Sequence, residues 1–102
     1  MNGLDPVVHP PARLQIMAVL SEVQEAEFAL LRQMTNVSDS VLSKHLSALG
    51  EAGYAKLRKA TADGRVRTWV SITRTGRAAF AGHVAALRRL AGAAAMEGVA
   101  VE

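Results

Sequence analysis

The chain has 102 residues, half of them hydrophobic, with twelve Lys and Arg against nine Asp and Glu for a net charge of +3, and no cysteine. That length and apolar content suit one domain spanning residues 1–102 around one modest core, and the missing cysteines exclude disulfides, thiolate metal sites and thiol-based sensing. No apolar run reaches the roughly 18 residues of a membrane span, and the N-terminus shows no secretion signal, so the expectation is a soluble, cytoplasmic protein with no membrane partner.

Residues 1–8 read as a flexible lead. Pro10-Pro11 then suits the first turn of a helix, where a missing N–H costs nothing, and the pattern predicts a first helix from about Pro11 to Val23. Its apolar residues Leu14, Ile16, Met17, Val19, Leu20 and Val23 occupy more than one stripe, a first hint that it buries a second side in a dimer. The polar connection Gln24-Glu25-Ala26-Glu27 reads as a solvated turn. It leads into Phe28, Leu30, Leu31 and Met34 at near-helical spacing, a short second helix ended by Thr35-Asn36.

The third helix opens at Ser38, an N-cap, with Asp39 complementing the positive end of the helix dipole. Leu42, Leu46 and Leu49 share one face while Ser40, Ser43, Lys44 and Ser47 share another, so one face suits a core and the other a DNA groove. Gly53 is placed as a left-handed C-cap before Tyr54. Tyr54 to Ala60 then reads as a strand, Thr61 to Gly64 as a turn and Arg65 to Thr73 as a second strand, in which Val66, Thr68, Val70 and Ile72 alternate with Arg67, Trp69 and Ser71.

Residues 56–77 carry Lys56, Arg58, Lys59, Arg65, Arg67, Arg74 and Arg77 against Asp63 alone, a local net charge of +6 that leaves −3 for the remainder. Such concentration is the expected footprint of a phosphate-contacting surface. A chance cluster on a solvated hairpin is the plain alternative, and the position directly after the third helix favours the first reading. Thr73 can cap a final helix from about 74 to 95 that runs through Gly76 and Gly82. In it Phe80, Val84, Leu87, Ala91 and Ala94 repeat every four and three residues, and Leu90 widens the stripe. This coiled-coil-like seam serves either dimerisation or packing on the first helix. Residues 96–102 are expected to fray.

The order helix, helix, helix, hairpin, helix defines an α+β, mainly helical class and resembles the winged helix-turn-helix fold. That fold has a three-helix core, a β wing of two to three strands and, here, a long C-terminal dimerisation helix. Ser38-Asp39-Ser40-Val41-Leu42-Ser43-Lys44-His45-Leu46, Leu49-Gly50-Glu51-Ala52-Gly53-Tyr54, Ile72-Thr73 and Thr75-Gly76-Arg77 look like landmarks of MarR-like and ArsR-like transcriptional regulators. The resemblance covers about residues 8–92 and is closest to small regulators consisting of little but this domain.

The resemblance implies that the third helix enters the major groove and the wing follows the backbone or the adjacent minor groove. Ser38, Ser40, Ser43, Lys44 and Ser47 are then candidate groove and phosphate contacts, with Lys44 the one cation on that face. Arg58, Lys59, Arg65 and Arg67 form a fork suited to phosphates and to a narrow minor groove. Serines bond phosphate or either class of base edge, so they imply contact without naming a sequence. The family pattern makes His45 a packing and hydrogen-bonding residue, and Trp69 is expected to pack against Tyr54 or the helices.

His9, His83, Asp5 and Glu97 make no recognisable metal set, and no nucleophile with its base, paired carboxylate or phosphate loop is present. Neither a cofactor nor an enzymatic activity is expected. The reading is a homodimeric repressor, joined through its first and last helices, on an inverted-repeat operator in double-stranded DNA. Any small-molecule effector has to bind between the dimer helices and the DNA-binding core, or there is none. A winged-helix docking module for another protein is the alternative, since fold alone does not settle function.

Overall fold

A computed structural model describes the backbone of residues 3–101 and the side chains of residues 3–94. In chain order it has α1 (Pro11–Leu20), β1 (Ala26–Glu27), α2 (Phe28–Thr35), α3 (Asp39–Glu51), β2 (Ala55–Ala62), β3 (Arg65–Ile72) and α4 (Arg74–Val101). The strands form an antiparallel sheet in the order β1-β3-β2, which completes a winged helix fold. One core joins Ile16, Met17 and Leu20 of α1, Leu31 of α2, and Leu42, Leu46 and Leu49 of α3 to Ala55 and Val70 of the sheet. Each fully buried leucine contributes about 2 kcal/mol of apolar burial, so the three on α3 fix the rotation of that helix.

The local chemistry sets the element ends. Ser38 caps α3 by accepting from the Val41 N–H at 3.2 Å, and Gly53 ends it in the left-handed region at φ 78°. α1 stops at Leu20 rather than Val23, because the Ser21 hydroxyl bonds back to the Ala18 carbonyl at 2.7 Å and the Glu22 N–H tightens onto Val19. Val23 is thereby left outside the helix and exposed. The strands are longer than expected toward the turn: Ala62 pairs with Arg65, and only Asp63 and Gly64 make the loop, at φ 54° and 75°. Two positive φ values in succession are the geometry of the tight hairpin turn that Asp-Gly favours.

Three expectations are corrected. The polar connection 24–27 is not simply a turn, since Ala26 and Glu27 pair with Val70 and Trp69 as the third strand, with Ala26 buried. Two residues are too few to carry a periodic signal. The final helix runs as backbone to Val101 rather than to about residue 95. Its seam divides: Phe80 packs on the core, Val84 and Leu87 are half-buried, and Leu90, Ala91 and Ala94 stay exposed.

The lead is the third. Its described residues are docked rather than flexible, because Val8 is fully buried in the core. Asp5 anchors it: its N–H donates to Nδ1 of the buried His83 at 2.9 Å, its Oδ1 accepts from the Val7 N–H at 2.8 Å, and the Tyr54 hydroxyl donates to its Oδ2 at 2.5 Å. Arg13 ties this segment to α3, donating from Nη1 to the Val7 carbonyl at 3.2 Å and from Nε to His45 Nδ1 at 3.1 Å. His45 is thus half-buried and hydrogen-bonded, the role the family pattern implied.

This network has a pH signature. Burial pushes His45 down and the Arg13 cation adds to it. Burial alone would raise the Asp5 carboxyl, but the Tyr54 hydroxyl, the N–H groups of Val7 and Val8 and the nearby His83 outweigh it and hold it below its ordinary value. Both groups are depressed in the folded state, so the stability each contributes is complete above its unfolded value and lost as pH falls toward the folded one. Thermal melts followed by circular dichroism are therefore expected to weaken as pH drops below 6.5, with a second decline below 3.8. His45→Gln should reduce the first decline and Asp5→Asn the second. Melts that are flat through both ranges would contradict the network.

Candidate nucleic-acid interface

With Leu42, Leu46 and Leu49 buried, Ser40, Ser43, Lys44 and Ser47 all face solvent. Ser38 is occupied as the cap, and its Oγ lies 3.2 Å from Ser40 Oγ. Ser43, Lys44 and Ser47 make no side-chain hydrogen bond or ion pair among the described residues, which leaves their donors free for an incoming ligand. Asp39, one residue inside the helix, is ion-paired with Arg32 of α2 at 3.1 Å.

The strand register decides where each wing cation points. Opposed residues of an antiparallel pair share a face and neighbours alternate. Ala62↔Arg65, Ala60↔Arg67 and Arg58↔Trp69 therefore put Arg58, Arg65, Arg67 and Trp69 on one face, while Leu57↔Val70 and Lys59↔Thr68 put Lys59 on the helix-facing side. The expected four-cation fork is thus two groups. Lys59 joins Ser43, Ser47, Asp39 and Thr68 around a cleft of about 430 Å³ between α3 and the sheet, floored by Phe28, Leu46 and Leu57.

On the outer face two of the three arginines are engaged. Arg58 donates from Nε and Nη2 to both carboxylate oxygens of Glu25, at 2.9 and 2.8 Å, with its guanidinium carbon 5.8 Å from the Trp69 ring centre. Arg67 Nη1 lies 3.1 Å from Glu27 Oε1. The hydrogen bond from Arg58 dominates the Glu25 carboxyl and holds it below its ordinary value. Arg65, beside the two-residue turn, is exposed and without a partner among the described residues. Glu25 and Glu27 are therefore not simply a solvated turn; their partners lie 33 and 40 residues away, beyond any local pattern.

One further residue lands differently from expectation. Trp69 packs neither on Tyr54 nor on the helices, because its register places it half-exposed on the outer face opposite Arg58. Arg77 donates from Nη1 to the Ser21 carbonyl at 3.0 Å, a favourable cation at the C-terminus of α1, whereas Arg74 is exposed. His9 Nδ1 comes within 3.4 Å of His83 Nε2, a juxtaposition that a separation of 74 residues hid from the sequence. Among the described residues no group of three or more His, Cys, Asp or Glu is placed to hold a metal ion, and the Glu97 side chain lies outside them.

Comparison with known proteins places this arrangement. Residues 12–91 match the family model described as a winged helix DNA-binding domain. An uncharacterised protein of Methanocaldococcus jannaschii is 36% identical over 72 residues, covering 71% of this chain and 78% of that protein. The structure is similar to a transcriptional regulator homologue from Pyrococcus horikoshii OT3, with a TM-score of 0.79 at 28% identity, over 85% of this chain and 86% of that one. It is also similar to a MarR family transcriptional regulator from Silicibacter pomeroyi DSS, with a TM-score of 0.65 at 26% identity, over 79% of this chain and 54% of that one.

Proposed function

Because the chain belongs to the winged helix DNA-binding domain family, we propose that it is a transcriptional regulator, acting as a homodimeric repressor on an inverted-repeat operator. The observation that carries this reading is the free polar surface shared by α3 and the wing. Ser43, Lys44 and Ser47 have no internal partner among the described residues, Lys59 shares a cleft with the two serines, and Arg65 projects beside the wing turn. Inserting α3 into the major groove would set Lys44 against phosphate or a guanine edge, with the serines donating beside it. Arg65 would then reach the narrow minor groove, where negative potential is concentrated.

The exposed Leu90, Ala91 and Ala94 supply an apolar stripe for a second copy, on a helix that also packs on α1. A two-fold dimer presents two α3 helices and calls for a symmetric site. No helix of the described residues is long and apolar enough to cross a membrane, which is compatible with work on DNA in the cytoplasm. An effector, where one exists, would bind between the dimer helices and the core.

Selection of bound sites from a random duplex library, followed by a salt titration on the enriched duplex, tests the reading. A symmetric site should emerge. If Lys44, Lys59 and Arg65 of both protomers neutralise about six phosphates, a fourfold rise in salt is expected to lower affinity about a thousandfold. No enrichment, or affinity indifferent to salt, would leave protein docking as the better account. Raised transcription from the bound promoter on deleting the gene would identify repression, and lowered transcription would reject it.

A further inference from the structure

Arg58 and Arg67 belong to the basic segment yet are ion-paired with two acids of the α1–α2 connection. We propose that Glu25 and Glu27 are internal phosphate surrogates that hold Arg58 and Arg67 off the DNA backbone and so set the affinity of the regulator. This rests on the DNA-binding reading above.

The geometry at Arg58 is the one a phosphate would take. Nε and Nη2 form a planar fork, and both of its prongs are filled by the two oxygens of Glu25 at 2.9 and 2.8 Å. The guanidinium carbon lies over the Trp69 ring, 5.8 Å from its centre. Glu27 repeats the arrangement more loosely on Arg67 at 3.1 Å. The register explains why both acids arrive there. Glu27 pairs with Trp69, Trp69 pairs with Arg58, and Arg67 lies two residues from Trp69 on the same face, so acids and cations meet in one row across β1, β3 and β2.

The Arg58 and Arg67 side chains are 54% and 38% accessible and their carboxylates half-buried, and ion pairs this open to solvent contribute little to folding. Their effect falls on DNA instead. A guanidinium whose charge is already neutralised by a carboxylate releases no counterion from the duplex. Arg65 and Lys59 are then the wing cations that grip, while Arg58 and Arg67 are a withheld reserve.

The experiment uses the full chain and its selected duplex, with Glu25→Gln, Glu27→Gln and the double variant titrated across a salt series. The double variant is expected to bind about tenfold tighter at fixed salt. Its log–log salt slope should steepen by up to about 3.6, four added phosphate contacts in a dimer. Glu22→Gln, which removes the same single charge as Glu25→Gln or Glu27→Gln but from an exposed position outside the row, is expected to leave both readings unchanged. In an Arg58→Ala, Arg67→Ala background the two Gln substitutions should give no gain.

An unchanged slope in a folded double variant overturns the proposal, and so does weaker binding, which would make the acids positioning groups for the arginines. A gain that persists without Arg58 and Arg67 overturns it in favour of general charge. If the wild type itself shows no salt-dependent DNA binding, the DNA-binding reading fails first and this inference with it. A steep wild-type slope matched by the double variant rejects this inference alone.

Discussion

Arg65→Ala and Lys44→Ala are each expected to weaken operator binding about ten- to a hundredfold at fixed salt, with thermal midpoints close to wild type. Both side chains are exposed and lack a partner among the described residues, so truncation removes little from the folded state. On DNA the two losses differ in kind. Arg65 stands at the closing pair of a two-residue turn, where the hairpin is narrowest and fits a minor groove, so its removal should be felt most over sites with narrow grooves. Lys44 projects from a helix whose rotation is locked by three buried leucines.

If Lys44 meets phosphate, affinity falls evenly across sequences and the salt slope drops by about one per contact; if it meets a guanine edge, discrimination at one base pair is lost. Arg58→Ala, whose guanidinium is already bound by Glu25, should cost severalfold less than Arg65→Ala. Gel-shift titration of the three variants against one duplex decides the matter. Equal affinity for wild type, Arg65→Ala and Lys44→Ala would remove the proposed interface.

The largest effect on stability is expected at a glycine. A Cβ on Gly76 would lie 2.2 Å from the Tyr54 carbonyl oxygen and 2.9 Å from its carbon, with Ile72 Cγ1 at 3.0 Å. That carbonyl has little room to retreat, since it accepts from the Thr73 N–H at 3.0 Å while Thr73 Oγ1 donates to the Gly53 carbonyl and accepts from the Gly76 N–H. The first turn of α4 is thus clamped to the end of α3 with no space for a methyl group. Gly76→Ala is expected to destabilise by about 3 kcal/mol or more, lowering the thermal midpoint by roughly 15 °C.

Gly82, two turns along the same helix, is exposed with nothing within 4 Å of a built Cβ. There the same substitution removes the entropic cost of a helical glycine and should stabilise by about 1 kcal/mol. Opposite signs in circular-dichroism melts are the expected result. A neutral Gly76→Ala would contradict the close approach of α4 to the Tyr54 carbonyl.

These two glycines mark the boundary of what could be read from the chain. In sequence both stand inside one helix, and Gly76 is marked only by the Thr75-Gly76-Arg77 landmark of the resemblance; the contact that makes it indispensable comes from Tyr54, across the hairpin. Trp69 is a parallel case. Its alternation with Val70 was legible, but the partner it meets depends on which residue of β2 stands opposite.

What the sequence determined by itself is everything carried by neighbours within a turn or two. It specified the cap at Ser38, the leucine face that turns Ser43, Lys44 and Ser47 outward, the Asp-Gly hairpin, the concentration of positive charge beside it, and through these the winged helix fold. Periodicity and capping are local, so a linear chain displays them. Only tertiary structure decided the third strand from Ala26–Glu27, the docking of Val8 and Asp5 on His83 and Tyr54, and the capture of Arg58 and Arg67 by acids 33 and 40 residues away. A row of cations in sequence records charge, whereas the charge available to a ligand depends on register and on which acids the fold brings alongside. Register is a property of the paired strands, written in neither strand alone.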